Sequence, residues 1–349
     1  MSALLARIVA HRLFWPVVML VVLLVINLVA FPGFFTISVR DGHLFGSLID
    51  ILRNGAPTLI IAVGMTLVIA TRGIDLSVGA VAAISGAVAC SIILGSPEPG
   101  SPATVATAVT VALLISLVLG VWNGFLVAVI GIQPIIATLI LMTAGRGVAM
   151  LITEGQILTV NSPPFKFLGS GFWFGVPIAV IIAAVVFGVA ALVTRRTALG
   201  MFIESVGINP EASRLAGVRS RGIIWGAYAA SGLLAGFAGI LYSSNIMAAD
   251  SSAAGNLIEL DAILAVVLGG TSLMGGKFSI AGTVIGVFTI QTLKSTIVFL
   301  GVPSPVTPVF MAAVVIIVVV VQSPLLRGSA LKAVRSIRGS NSNTTEVAK

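Results

Sequence analysis

The stretch GMTLVIATRGIDLSVGAV, residues 64–81, places a polar, glycine-containing segment between two apolar runs. Each run is typical of a membrane helix, and Gly73 and Asp75 mark the point at which the helix is interrupted. A weaker counterpart, LDAILAVVLGGTSLMGG at residues 260–276, ends in a glycine cluster. The two stretches predict a pair of broken helices. They suggest an inverted-topology repeat with a substrate path at its interface.

The composition of the chain predicts an all-α, polytopic membrane protein. The 349 residues are 58% hydrophobic and 9% charged, with a mean hydropathy of +1.17, whereas a soluble domain carries roughly 25% charged residues. Outside residues 195–221 and the C-terminal tail, no long polar segment offers room for a soluble catalytic domain. We therefore expect a single transmembrane domain over residues 1–325 and a cytoplasmic, disordered tail over residues 326–349.

Charge and cysteine content exclude several classes of function. The net charge of +8 and the pI of about 10.6 follow from the rule that Lys and Arg collect on the cytoplasmic side of membrane proteins, so they do not indicate nucleic-acid binding. The single cysteine, Cys90, excludes a disulfide framework or a cysteine metal cluster. His11 and His43 are far apart in the sequence, which argues against a histidine metal site. We expect this chain to bind no metal.

The apolar runs predict about ten transmembrane elements, with both termini in the cytoplasm. The run at residues 259–269 is too short to span upright at about 1.5 Å per residue, so we expect a broken or re-entrant element there. Ten crossings put the basic segment 195–221 and the basic tail on the same, cytoplasmic side. Residues 40–53 are expected to lie along the outer surface. The predicted elements cover residues 14–31, 55–71, 76–94, 103–130, 134–152, 172–193, 223–242, 259–269, 278–300 and 306–321.

Residues 195–221, RRTALGMFIESVGINPEASRLAGVRSR, form a long basic segment in the middle of the chain. Asn209 can cap a short helix, Pro210 fits its first position, and Glu211 carries the negative charge that the helix dipole favours there. Gly217 follows the helix where a left-handed residue is usual. We interpret the segment as a short, stiff helix at the membrane surface that fits into another protein. An ordinary cytoplasmic linker is the alternative.

Polar side chains inside the predicted membrane elements are candidates for a substrate path, because a charge at the bilayer centre costs about 2.5–3.5 kcal/mol. Asp75 either lines the path at the helix break or caps the helix that begins at Leu76. Arg146 could bind a sugar hydroxyl or a carboxylate, pair with Glu154, or extend its charge toward the surface. For Asp261, capping of a helix is the first explanation. The candidate path residues are Asp75, Asn123, Gln133, Arg146, Asp261 and Gln291.

The sequence carries no nucleotide-binding loop of the G-x-x-x-x-G-K-[ST] type. GGTSLMGGKF, residues 269–278, contains a Gly-Lys pair but continues with Phe278 in place of Ser or Thr. A Ser/His/Asp set and a pair of carboxylates with a base are likewise not evident. We therefore expect no catalytic residues in this chain, and any ATP hydrolysis that drives it falls to a partner chain.

Four stretches resemble the permease subunits of bacterial ribose-type ABC sugar importers. The resemblance covers nearly the whole chain, residues 14–325. DGHLFGSLIDIL and TALGMFIE–VGIN are most similar to the galactofuranose-importing members of that family. The four stretches are GMTLVIATRGIDLSVGAVAAISGA, ATLILMTAGRGVAMLITEGQI, TALGMFIESVGINPEASRLAGV and ELDAILAVVLGGTSLMGGKF.

The resemblance implies the partners of the chain and the site at which it is driven. Two permease subunits, identical or related, form the pore in the bacterial inner membrane, and a periplasmic protein delivers the sugar. ATPase subunits dock on the cytoplasmic face and use ATP and Mg, so this chain binds no cofactor itself. The family's coupling helix falls on residues 209–217. The residues assigned to coupling are Glu204, Gly207, Asn209, Glu211, Arg214 and Gly217.

Two other functions stay open on the sequence alone. An ion-coupled secondary sugar transporter would share the broken helices and would need an essential membrane carboxylate, for which Asp75 and Asp261 are candidates. An ABC permease for branched-chain amino acids would need paired charges for its cargo. For that cargo, the sequence offers Arg146 as the obvious receiver of a carboxylate.

Overall fold

A computed structural model describes residues 13–40, 42–303 and 306–322, and most of them are helical. The predicted tail at residues 326–349 and the basic stretch before residue 13 lie outside the described residues. The helices are α1 (Phe14–Ala30), α2 (Ser47–Ala70), α3 (Val78–Gly95), α4 (Pro102–Phe125, continued as a π-helix over Leu126–Ile130), α5 (Pro134–Ile152), α6 (Pro163–Ser170), α7 (Ile178–Arg196), α8 (Ala198–Ile208), α9 (Pro210–Leu215), α10 (Ser220–Ile246), α11 (Ile258–Leu268), α12 (Ile280–Phe299) and α13 (Thr307–Gln322).

Short strands pair antiparallel in twos at the ends of these helices. β1 (Ser38–Arg40) pairs with β2 (His43–Phe45), β3 (Leu158–Thr159) with β6 (Ala248–Ala249), and β4 (Phe172–Trp173) with β5 (Val176–Pro177). The chain is therefore mostly helical with little sheet, as predicted for an all-α polytopic membrane protein.

Seven helices in the described part of the chain are long and apolar enough to cross a membrane. Three other predicted elements coincide with the shorter helices α1, α11 and α13. The eleven residues of α11 agree with the prediction of an element too short to span upright. A count of ten spans is thus not confirmed. The seven are α2, α3, α4 with its π-helical end, α5, α7, α10 and α12.

Two predicted boundaries are wrong, and in both cases a hairpin explains the error. The helix expected at residue 55 already begins at Ser47, so residues 47–53 are its first turns and not a surface segment. The chain reaches it through the β1–β2 hairpin. The helix expected at residue 172 begins at Ile178, because the β4–β5 hairpin turns through Gly175 at a φ of 78°. The other predicted spans overlap the observed helices with smaller differences at their ends.

Helix α10 lies at the centre of the bundle and packs against α2, α3 and α4. Small residues allow the backbones to approach closely, as is usual between membrane helices. A Cβ added to Gly232 would lie 2.6 Å from the Cα of Gly120 on α4. On α3, the carbonyl oxygen of Ala82 lies so close to Gly239 that a side chain there would overlap it. These contacts fix the position of Ser231, a polar residue of α10.

The two predicted helix interruptions are present. Helix α2 ends at Ala70 and α3 begins at Val78, while α11 ends at Leu268 and α12 begins at Ile280. The two interrupting segments touch, since the Gly276 backbone N–H donates to the Ala70 carbonyl at 2.9 Å. The chain thus brings residues about two hundred positions apart together at one end of the bundle.

Candidate functional site

A buried polar network surrounds Asp75 in the break between α2 and α3. The side chain is 1% exposed. Its Oδ1 accepts hydrogen bonds from the Ser77 backbone N–H at 3.1 Å and the Ser77 hydroxyl at 2.6 Å, and its Oδ2 accepts from the Ser231 hydroxyl on α10 at 2.8 Å. Asn123 of α4 donates to the Ser77 hydroxyl at 2.8 Å. Two predicted path residues, Asp75 and Asn123, therefore lie in one network.

Asp75 is not the N-cap of α3, because Ser77 occupies that position and no side chain caps the helix. The helix begins at Val78 and not at Leu76. The carboxylate accepts the amide of Ser77, one of the backbone donors that a helix start leaves without an intrahelical partner. Both carboxylate oxygens have donors, so Asp75 holds the break in place. Ser77 and Ser231 were not among the predicted site residues, although a serine two residues after an aspartate is a local indication of such a turn.

Arg146 on α5 anchors the segment that precedes α11. Its guanidinium donates to the carbonyl of Ser251 at 3.3 Å and to the carbonyl of Ala254. The predicted alternative of a pair with Glu154 is wrong, since Glu154 is exposed in the turn after the helix end. The Glu259 carboxylate is buried beside Arg146, and its Oε2 has no hydrogen-bond partner within the described residues.

Asp261 forms an ion pair with Lys294 that joins α11 to α12. It lies in the first turn of α11, as a capping residue would, but the observed partner of its side chain is the lysine. The pair faces a cavity of about 370 Å³ between α11, α12 and α13. Other residues that line this cavity are Asn256, Leu260, Leu264, Thr307, Pro308 and Met311.

The other two predicted path residues lie elsewhere. Gln291 of α12 is half-buried and packs against Gly55 of α2, where an added Cβ would lie 3.5 Å from the Gln291 Cγ. Gln133 is exposed and precedes α5, whose first backbone N–H groups donate no hydrogen bond to its side chain. Of the six candidates, Asp75 and Asn123 share a hydrogen-bond network.

The short helix predicted in the basic segment is α9, and its end residues are arranged as expected. Asn209 Oδ1 accepts from the backbone N–H of Glu211 at 3.1 Å and of Ala212 at 3.0 Å, and Pro210 occupies the first position. Gly217 is left-handed, with a φ of 87°. Ser213 faces the protein, whereas Leu215 is 79% exposed. Helix α9 therefore presents an exposed, firmly capped surface.

Glu211 and Arg214 lie on the exposed face of α9 and bind each other at two points. Arg214 Nη2 lies 2.5 Å from Glu211 Oε1, and its Nε donates to Oε2 at 3.1 Å. The hydrogen bond and the charge of the guanidinium hold the pKa of the Glu211 carboxyl below its usual range. The same hydrogen bond and the charge of the Glu211 carboxylate raise the pKa of Arg214. Such an exposed pair contributes little to folding.

Helix α8 was not predicted, because its residues lie inside the basic segment 195–221, which was interpreted as containing one short helix. The Thr197 hydroxyl caps it by accepting the Leu199 backbone N–H at 3.2 Å. Glu204 of α8 is half-buried and lines a cavity of about 330 Å³ together with Arg195. Gly207 is buried against the end of α2, so closely that a Cβ would overlap the carbonyl oxygen of Ala70. Gly207 thus holds the end of α8, next to α9, against the bundle.

Comparison with known proteins places the chain among permeases. It is 49% identical over 332 residues to the galactofuranose transporter permease protein YtfT of Escherichia coli (strain K12), which covers 93% of this chain and 95% of the relative. It is 41% identical over 324 residues to the fructose import permease protein FruF of Bifidobacterium longum (strain NCC 2705), covering 91% and 89%.

A third relative is the ribose import permease protein RbsC of Escherichia coli (strain K12), at 40% identity over 308 residues, which is 87% of this chain and 91% of the relative. No solved structure matches the chain. The profile of one permease family matches residues 47–319, which include both helix breaks and all of α9. The chain therefore belongs to the family described as the permease component of the branched-chain amino acid transport system.

Proposed function

We propose that this chain is the permease subunit of an ATP-binding-cassette importer that carries a monosaccharide across the bacterial inner membrane. The observation that carries the proposal is the similarity over almost the full length of both chains to permeases named for galactofuranose, fructose and ribose. Galactofuranose or a ribose-like sugar is the proposed cargo, because the galactofuranose permease has 49% identity.

Transport is powered by a partner ATPase, which binds and hydrolyses ATP with Mg. The proposed docking surface is the exposed face of α9, including Glu211 and Arg214, with Asn209 and Gly217 holding its ends. The capping hydrogen bonds support this role, since a helix that transmits a displacement must not fray. Gly207 and Glu204 would pass the displacement to the bundle. This chain contributes no catalytic residue and holds no cofactor.

The remaining partners are a second permease subunit, identical or related, and a periplasmic sugar-binding protein. The proposed arrangement is one transmembrane domain over residues 1–325 with ten membrane elements, in which α1, α11 and α13 complete the seven long helices. Both termini would lie in the cytoplasm beside α9. The paired helix breaks support an inverted repeat, as in other transporters with discontinuous helices.

The contacts of the charged groups favour a sugar over the two alternative functions. An amino-acid cargo would need Arg146 to receive its carboxylate, yet the guanidinium is engaged by the carbonyls of Ser251 and Ala254. An ion-coupled transporter would need a carboxylate that exchanges its partner during transport. Both oxygens of Asp75 accept protein hydrogen bonds, and Asp261 is paired with Lys294.

The test is uptake of labelled sugar into proteoliposomes that contain the chain with its ATPase, its permease partner and the binding protein. We expect uptake that requires ATP inside, that stops with ADP, and that survives collapse of the ion gradients by an uncoupler. Competition among unlabelled galactofuranose, ribose and fructose then ranks the cargo. Uptake that persists without ATP, or that an uncoupler abolishes while ATP is plentiful, contradicts the proposal.

A further inference from the structure

Arg72 occupies an unusual position at the end of α2. It is two residues beyond Ala70, and its φ of 66° puts it in the left-handed region. A residue with a side chain adopts that conformation at a cost in free energy, so a compensating contact is expected. The guanidinium supplies that contact. Its Nη2 donates to the carbonyl of Ile208 at 2.5 Å, and its Nε donates to the carbonyl of Met274 at 3.1 Å.

Three segments of the chain meet at this guanidinium, and we call their meeting point the junction: residues 70–72, 207–208 and 274–276. Backbone hydrogen bonding joins the first to the third, from the Gly276 N–H to the Ala70 carbonyl. Glycines permit the close approach, because a Cβ on Gly207 would overlap Ala70 and one on Gly275 would overlap the Arg72 side chain. The backbones of the three segments therefore lie in close contact at the junction, and the Arg72 side chain is exposed at its surface.

The junction connects α9 to both helix breaks. Ile208 is the last residue of α8, and the next residue, Asn209, is the cap of α9. Ala70 is the last residue before the first break, and Met274 lies inside the second. A displacement of α9 therefore reaches both breaks through residues that are directly hydrogen-bonded to one another.

A guanidinium is suited to this position by its charge and its shape. Helices α2 and α8 both end at the junction, and the C-terminal end of a helix carries a partial negative charge. The planar fork of arginine can donate to two carbonyls in fixed directions, whereas a lysine ammonium acts as a single flexible point charge. Arg72 thus binds the end of α8 and the second break at the same time.

We propose that Arg72 is a positioning residue for transport, which makes α8, α9 and both helix breaks move as one body. The inference rests on the proposed function, because it concerns how the movement of the ATPase reaches the membrane helices. Without the guanidinium, α9 still offers its docking surface, but it can move while the breaks stay in place. ATP hydrolysis then continues with little sugar moved.

The test measures sugar uptake and ATP hydrolysis in the same reconstituted complex. The quantity compared is the ratio of sugar molecules taken up to ATP molecules hydrolysed. For Arg72→Gln we expect the ratio to fall about tenfold, since two charge-assisted hydrogen bonds are lost, while hydrolysis persists. Arg72→Lys keeps the charge but not the fork, so we expect an intermediate ratio. Arg196→Gln is the control, because Arg196 is an exposed arginine at the end of α7 and the described structure gives it no ion pair. Its ratio should match the wild type.

Each outcome bears on either the inference or its basis. A wild-type ratio in Arg72→Gln overturns the inference. If Arg72→Gln does not assemble, Arg72→Lys decides: uptake and hydrolysis that fall by the same factor would give Arg72 a purely structural role and overturn it too. A wild-type complex whose uptake needs no ATP contradicts the proposed function itself, and this is visible before any variant is compared.

Discussion

The hydroxyl of Ser231 donates to Asp75 Oδ2 at 2.8 Å and thereby ties the middle of α10 to the break between α2 and α3. The other carboxylate oxygen holds Ser77 at the start of α3. One buried side chain thus connects α10 to the start of α3 across an irregular stretch of backbone. Such a stretch survives inside a membrane only where protein groups satisfy its polar atoms.

Asp75→Asn should insert and keep partial transport, because an amide still offers one acceptor oxygen to Ser77. It should lower the free energy of unfolding by about 1–3 kcal/mol, since the amide N–H₂ cannot accept from Ser231. Asp75→Ala removes both acceptors and should destabilise more. Thermal unfolding in detergent and ATP-driven uptake measure the two effects. Complete loss of uptake in a normally stable Asp75→Asn protein would contradict a purely structural role at the break and favour a role in the path.

Gly232→Ala should weaken the contact between α10 and α4. The new Cβ would lie 2.6 Å from the Gly120 Cα, and overpacking of this kind typically destabilises by about 1–3 kcal/mol. Gly226→Ala is the matched control in the same helix, since a Cβ there has open space and improves helix propensity by up to about 1 kcal/mol. Relative to the wild type, the melting temperature should fall for Gly232→Ala and rise for Gly226→Ala. Equal melting temperatures would show that α10 and α4 can move apart without a loss of stability.

The sequence was most informative where structure depends on neighbouring residues. Asn209, Pro210 and Gly217 each have a preferred place at a helix end, so the limits of α9 followed from three positions. The glycines at 269–276 marked the second break for the same reason. Helix α8 was missed although Thr197 caps it, because its neighbours made the whole segment look like one polar loop. The hairpins before α2 and α7 were missed because an apolar or polar run alone does not show where a helix begins.

The sequence was least informative about contacts between distant residues. Nothing local indicates that Arg146 binds the carbonyls of Ser251 and Ala254, or that Asp261 pairs with Lys294. These partners become neighbours only when α5, α11 and α12 pack together. Asp75 and Asn123 were both selected as polar residues at membrane depth, but their common network through Ser77 required the fold.

Gly217→Pro should abolish ATP-coupled uptake in a protein that still inserts. The native φ of 87° is inaccessible to proline, whose ring fixes φ near −65°, so the end of α9 must rearrange. Gly217→Asn is the matched control, since asparagine tolerates the left-handed region and a Cβ at this position meets no other atom within 4 Å. Uptake per inserted molecule measures the effect. Normal uptake by Gly217→Pro would refute a role for this helix end in coupling.

Glu211 should remain ionised to lower pH than an ordinary glutamate. The hydrogen bond and charge of Arg214 lower its pKa in the folded protein, so the pair is fully present above the ordinary glutamate pKa of about 4.3. It is lost as the pH falls through the lower, folded value. A ¹³C-carboxyl NMR titration, assigned with Glu211→Gln, should give a midpoint that rises in Arg214→Gln. An unchanged midpoint would show that the ion pair does not form in solution.

The claim that a partner ATPase docks on α9 is tested most directly by thiol crosslinking in native membranes. Leu215→Cys places a reactive group on the exposed face of α9. Phe174→Cys, at a position that is 89% exposed in the native protein, places one just before α7, a helix of 19 residues and about 30 Å that precedes α8 and α9 in the chain. Native Cys90 is buried and contributes little background. We predict that position 215 is linked to an ATPase subunit and position 174 is not. An ATPase linked to position 174, or none linked to position 215 in membranes with ATP-dependent uptake, would contradict the account.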